Sequence, residues 1–291
     1  MKKCVTVQDL SCIGKCSAGA ALPVLSAMGI ETAVLPTALL STHTAFKDPA
    51  IYDLTAEMKK ILQHWEREQF RFDAVCSGYL RSVEQVQLVR KLFREFTAPG
   101  ALRSVDPAMA DHGRLYSGFD TAHVKAVISL CREADLILPN LSEACLIAGI
   151  PYPGSFNDEP KDDVNSAFVM ELLQDPALAI ARYVVITGVS SAPDRIGAVC
   201  LNTETNKVSL YEQRRAPVSF SGTGDLFAAV MTGAMLRGLT PERSMQLAVD
   251  YTSRSIENTL SEPSHNWYGV NFERTLPWLI HSLENAADNN S

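Results

Sequence analysis

Short apolar runs alternate with longer segments of mixed polarity along most of the chain. Residues 4–7, 32–35, 74–77, 102–105, 136–138 and 184–187 are short and apolar enough for strands buried on both faces. Between them, residues 18–28, 53–68, 83–96, 121–134, 142–148 and 166–174 have the mixed or amphipathic composition of helices. Alternation at this spacing predicts βαβ units, and hence an α/β fold with a doubly wound, mostly parallel sheet flanked by helices. The pattern changes after residue 187. Residues 196–201 and 208–213, joined by the polar turn 202–207, predict an antiparallel hairpin, and three helices at about 223–237, 241–258 and 271–284 close the chain. Residues 154–163, rich in Gly, Pro, Asp and Asn, read as a surface excursion rather than a linker. The tail 288–291 should fray. One domain spanning 1–291 is the economical expectation.

Composition narrows the function classes. A net charge of −7 argues against nonspecific nucleic-acid or anionic-membrane binding, since both need a positive surface. No stretch reaches the length of a membrane span, and the N-terminal residues do not read as a signal peptide, so a cytoplasmic protein is expected. Seven scattered cysteines without paired spacing fit free thiols and argue against zinc. Cys12 and Cys16 lie near the strand-end residues singled out below, where packing is their expected role.

In open parallel sheets, ligands bind beyond the carboxyl ends of the strands. The polar residues after each apolar run are therefore informative. They are Gln8-Asp9-Leu10-Ser11, Ser41-Thr42-His43-Thr44, Ser77-Gly78-Tyr79, Asp106-Pro107, Asn140-Leu141-Ser142-Glu143 and Thr187-Gly188. Asp106, Asp111 and Glu143 supply hard oxygen ligands suited to Mg²⁺ on phosphates. Plainer roles compete: helix capping for Asn140 and Glu143, a turn for Asp106, and a structural imidazole for His43.

Ser221-Gly222-Thr223-Gly224-Asp225 carries the most chemistry. Its glycines precede the apolar run from Leu226, placing backbone N–H groups at a helix N-terminus where an anion is favoured. A carboxylate beside such a nest suggests a base that deprotonates a hydroxyl while the N–H groups hold a phosphoryl group. No Walker-type string, dinucleotide fingerprint or nucleophile elbow is present, which argues against P-loop enzymes, dehydrogenases and α/β-hydrolases. Residues 14–19 match no nucleotide fingerprint either.

On these pieces the sequence resembles the ribokinase-like superfamily, and within it the pyridoxal kinase family, from Gln8 to about Asn258. The resemblance implies ATP-dependent phosphorylation of the 5′-hydroxymethyl group of a vitamin B6 vitamer. It implies Asp225 as the base, with Gly222, Thr223 and Gly224 as the anion hole. Asp106 and Glu143 would organise Mg²⁺, with a monovalent cation such as K⁺ left open and Asn140 nearby. Thr187, Gly188 and the following hairpin would face ATP. Asp9, Ser11, Ser41, His43, Thr44 and Tyr79 would line the acceptor pocket, and a homodimer without the sheet lid of sugar kinases is implied. Segment 111–120 is the candidate cover for the phosphates.

The chain departs from that family where its members commonly carry a serine: here the position is Asp9. An acid there can pair with a protonated ring nitrogen or an amine, or accept from a ring hydroxyl, so the preferred vitamer stays open. The sequence is also similar to the hydroxymethylpyrimidine kinases, whose Gly-Gly pair it lacks. A non-catalytic B6 binder is the third alternative, and the intact Asp225 argues against it.

Overall fold

The computed structural model describes residues 1–153 and 165–288; the excursion expected at 154–163 and the last tail residues lie outside them. The elements run β1 (Lys3–Ser11), α1 (Ser17–Ala27), β2 (Glu31–Leu40), β3 (Ile51–Asp53), α2 (Thr55–Arg67), β4 (Phe72–Ser77), α3 (Val83–Glu95), β5 (Thr97–Val105), β6 (Ala110–Asp111), β7 (Arg114–Leu115), α4 (Thr121–Cys131), β8 (Leu136–Ile137), α5 (Leu141–Ala148), α6 (Ser166–Leu172), β9 (Tyr183–Val189), β10 (Arg195–Asn202), β11 (Lys207–Arg214), α7 (Thr223–Leu236), α8 (Pro241–Leu260) and α9 (Leu276–Asp288).

Among the described residues the main sheet has nine strands in the order β11-β10-β9-β8-β5-β4-β1-β2-β3. Its inner pairs, from β9 through to β2, are parallel, whereas at the edges β10 pairs antiparallel with both β9 and β11, and β3 with β2. The chain leaves β1 towards β2 on one side and returns to β4 on the other. That reversal opens a crevice beyond the carboxyl ends of β1 and β4, where such sheets bind ligands.

Period-two alternation sends neighbouring side chains to opposite layers. Val5, Val7, Val184 and Ile186 pack with α2 to α6, while Cys4 and Val185 pack with α1, α7, α8 and α9. The expected elements are present, with three instructive differences. The expected strand at 4–7 extends to Ser11, so Gln8 and Asp9 belong to β1 itself. Opposite Asp9 a β-bulge sets two residues of β2, Thr37 and Ala38, against one of β1. Pro36, which cannot donate to a ladder, lies just before it, and a bulge of this kind re-aims the side chains beside it.

The helix expected at 271–284 is divided into a 3-10 turn, Phe272–Thr275, and α9. Pro277 explains the division: without an N–H it fits only a first helical turn. Segment 111–120 is not an open loop throughout, because β6 and β7 pair as a small separate hairpin.

Candidate active site

Two helix N-termini converge on the crevice. Gly222 caps α7 in the left-handed region, at φ +84°. A Cβ on it would lie 2.0 Å from the Lys15 carbonyl oxygen, so only glycine fits both the backbone angle and the close approach. Gly222 thereby sets the start of α7 against the loop that begins α1. Gly224, by contrast, has open space above it, as a group admitting a ligand to backbone N–H donors would. The 14–17 loop is fixed from its other side as well. The Lys15 ammonium meets Glu273 at 2.8 Å and Asn271 at 3.1 Å, and a Cβ on Gly269 would approach Lys15 Cβ to 2.6 Å.

Ser17 is the residue that sequence reasoning missed. It is buried, with φ +48°, in the first turn of α1; its N–H reaches the Asp225 carboxylate and its hydroxyl reaches Asp9. The positive end of α1 therefore faces the two acids nearest it. A serine beginning the small-residue run Ala18-Gly19-Ala20-Ala21 was the available signal. Segment 14–19 is thus no nucleotide fingerprint by sequence, yet it forms one wall of the site.

Four acids follow one another along the crevice. Asp225, partly open to solvent in the first turn of α7, lies deep enough that desolvation, then the charges of Asp106 and Asp9, raise its pKa to about 7. Asp106 is raised to about 8, by burial first and by the neighbouring Glu143 charge second. Its Oδ1 accepts the Ala108 N–H at 3.1 Å, in the turn expected before Pro107, and Ala108 itself sits at φ +37°.

Glu143 is 1 % exposed, and burial raises it to about 7 although three backbone N–H groups work the other way. Its Oε1 accepts from Met109 at 2.9 Å and Ala110 at 3.4 Å, and its Oε2 from Asn140 at 2.9 Å. The Asn140 side chain returns a bond to the Glu143 N–H, completing a capping box on α5. Asn140 also donates to the Ala110 carbonyl, and Ser142 accepts the Gly113 N–H. The small hairpin is thus tied to the N-terminus of α5. Capping, the plainer role for Asn140 and Glu143, is present here. Thr187 bridges Asn140 at the end of β9, and the exposed Gly188 follows at φ +73°.

The other end of the crevice is lined from β1, β2 and β4. Asp9 is 6 % exposed; desolvation raises its pKa, while Ser17, Ser11 and the more distant His43 lower it. Ser11 donates to it at 3.4 Å. His43 is buried, accepts the Ala45 N–H at Nδ1, and so presents Nε2–H to the Tyr268 carbonyl at 3.0 Å. It packs edge-on to Phe46 and Trp267, an aromatic group that the sequence did not single out. Tyr79 is partly buried, faces the Asp9 charge, and stacks on Phe119, which stacks in turn on His123.

Ser41 and Thr44 are placed differently. Both are exposed, and the Ser41 hydroxyl accepts the Ala50 N–H at 3.0 Å, closing the turn into β3. Cys16 is pushed up to about 12 by burial and the flanking Asp225 and Asp9 charges, so its thiol stays protonated. Cys12 is exposed. Among the described residues no cluster of three or more metal-ligating side chains forms, and no helix is long and apolar enough to cross a membrane.

A parallel sheet whose strand-end acids surround a glycine-capped helix N-terminus defines a small-molecule kinase of ribokinase-like fold. Comparison with known proteins agrees. The profile of the family described as phosphomethylpyrimidine kinase matches residues 18–268. The crystal structure of a pyridoxal kinase from Lactobacillus plantarum is 34% identical with a TM-score of 0.83, covering 98% of this chain and 99% of that one. A provisionally named phosphomethylpyrimidine kinase from Bacteroides thetaiotaomicron, crystallised with pyridoxal, is 32% identical with a TM-score of 0.85, covering 97% and 96%. A pyridoxine/pyridoxal/pyridoxamine kinase from Bordetella avium is 27% identical over 267 residues, 88% of this chain and 84% of its own. The chain belongs to the phosphomethylpyrimidine kinase family, in its ribokinase-like pyridoxal kinase branch.

Proposed function

We propose that this protein transfers the γ-phosphoryl group of ATP to the 5′-hydroxymethyl group of a vitamin B6 vitamer. The observation that carries the reading is the position of Asp225, at the converging N-termini of α1 and α7, where burial first and the Asp106 and Asp9 charges next raise its pKa to about 7. A base of that strength is matched to taking a proton from an alcohol at neutral pH. The backbone N–H groups of Gly222, Thr223 and Gly224 line the start of the same helix, where charge on a transferring phosphoryl group would be met by fixed donors. Tyr79 and Asp9 flank the acceptor pocket, and Asn140, Thr187 and Gly188 lie towards the nucleotide.

The donor set fits a magnesium ion accompanying ATP. Asp106 and Glu143 are neighbouring hard oxygen donors, raised above the ordinary carboxylate range by burial first and, for Asp106, by the Glu143 charge second. Both Glu143 oxygens already accept N–H groups, so Glu143 suits contact through water and Asp106 suits the closer role. When bound, the ion would neutralise phosphate charge during transfer. The residues of the chain orient the acceptor, hold its proton at Asp225 and exclude water beneath the small hairpin.

ADP release with magnesium, measured in parallel on pyridoxal, pyridoxine, pyridoxamine and hydroxymethylpyrimidine, tests the reading. Turnover on at least one B6 vitamer is expected. Turnover on the pyrimidine alone moves the chain to the other branch of its family, and retained vitamer binding without ATP consumption makes it a binder.

A further inference from the structure

Asp9 is a buried carboxylate that no ion pair neutralises among the described residues. Its hydrogen bonds come from the Ser11 and Ser17 hydroxyls and its own backbone N–H, and His43 acts on it only from a distance. The lysines six positions to either side are engaged elsewhere, Lys3 with Glu31 and Lys15 with Glu273 and Asn271. Beside Asp9, Gln8 is fully buried with both side-chain amide atoms unpartnered, packed against Gly78 just before Tyr79. An anion and an unsatisfied amide at the same strand ends are costly to the empty protein. Both costs are relieved by a ligand that brings a positive charge and polar substituents.

Position selects which cation. One residue, Ser17, reaches both Asp9 and Asp225, so the two carboxyl groups lie close together. An acceptor whose hydroxymethyl oxygen sits at Asp225 therefore brings its adjacent ring substituent nearest to Asp9. The ring nitrogen, two ring bonds from the hydroxymethyl-bearing carbon, lies further away. Resting on the vitamer-kinase reading, we propose that Asp9 is a specificity residue that selects an acceptor with a protonated aminomethyl group next to the phosphorylated hydroxymethyl. Among B6 vitamers that acceptor is pyridoxamine. Pyridoxal, pyridoxine and pyridoxamine differ only at this substituent: an aldehyde, a hydroxymethyl and an aminomethyl group. Only the last is a primary amine, charged at neutral pH as a lysine is.

The test is kcat/KM for all three vitamers with ATP, in the wild-type protein and in Asp9→Asn, with thermal melting to confirm that the variant is folded. The wild-type protein is expected to prefer pyridoxamine over pyridoxine by about tenfold or more. Asp9→Asn should lose about thirtyfold or more on pyridoxamine relative to its loss on pyridoxine, the scale for removing one member of a buried charge pair. The wild-type preference stands as a test even if the variant does not fold. Equal losses on all three vitamers would place Asp9 against the ring nitrogen or in a structural role and overturn the proposal, as would a wild-type protein without preference. Wild-type turnover on no vitamer at all would instead overturn the kinase reading beneath it.

Discussion

The two ends of the crevice both carry buried acids, but they treat them differently. At the α5 end Glu143 receives three backbone N–H groups and holds the hairpin of β6 and β7 in place. At the β1 end Asp9 has two serine hydroxyls and its own backbone N–H, with no N–H from a neighbouring strand or helix among the described residues. A carboxylate saturated by the backbone is part of the architecture, whereas one left with weak partners is available to a ligand. Asp225 stands between the two, bonded by one N–H from α1 and still partly open to solvent.

The largest expected effect tests that middle position. Asp225→Asn preserves shape and removes the base, so kcat should fall by about a thousandfold. A loss under tenfold in single-turnover assays would show that the base is elsewhere. Gly222→Ala should come next. It forces a side chain into the Lys15 carbonyl at a left-handed backbone angle, separating the N-termini of α1 and α7. Folding stability should drop by about 2 kcal/mol or more in urea titrations, and an unchanged midpoint would mean that the approach relaxes without consequence.

Glu143→Gln probes the saturated end. An amide supplies one acceptor where the carboxylate supplies two, leaving a buried N–H unpaired. The cost should be about 1–3 kcal/mol, read as a lower Tm with the hairpin newly open to proteolysis. Were the variant to melt with the wild type while losing only activity, Glu143 would be a ligand rather than a tie.

Proton linkage compares the ends without mutation. Asp225 and Glu143 near 7 and Asp106 near 8 all bind protons more tightly in the folded state than in the unfolded chain. The stability they contribute is full below the ordinary carboxylate range and is lost as pH rises through about 7 to 8. The ligand-free protein should therefore melt roughly 2 °C or more higher at pH 6 than at pH 8.5. Magnesium with nucleotide should shrink that difference by favouring ionised Asp106 and Glu143. Activity should run oppositely, falling below pH 7 as Asp225 gains its proton. The smallest effect belongs to Ser41→Ala, whose hydroxyl closes an exposed turn: a change under about 1 kcal/mol and no change in KM. A tenfold rise in KM would return Ser41 to the acceptor pocket.

Much of this was legible in the sequence, for physical reasons. Buried parallel strands need continuous apolar runs, so β4, β8 and β9 stood out, and the glycine-rich start of α7 announced its own backbone demands. What stayed hidden depended on contacts between distant segments. Nothing local to residues 14–17 states that a carbonyl there will touch Gly222. The bulge opposite Asp9 arises from the pairing of β1 with β2. The second tie on Glu143, to the hairpin, is likewise non-local, whereas its capping box with Asn140 was readable from spacing. Both ring nitrogens of His43 are engaged by backbone groups, and its contact with Tyr268, 225 positions away, had no local signal.

The closure around Lys15 also bears on how the protein is made. Its ammonium reaches partners 256 and 258 positions later in the chain, and the loop beside it is set against Gly222. Synthesis delivers the N-terminal strands first, so a ribosome-bound chain holds Asp9 on β1 and Asp106 after β5 well before α7 and the residues that fasten Lys15 have emerged. The centre is thereby completed late, and a chain cut short before Asn271 would carry all four crevice acids with the Lys15 loop left unfastened.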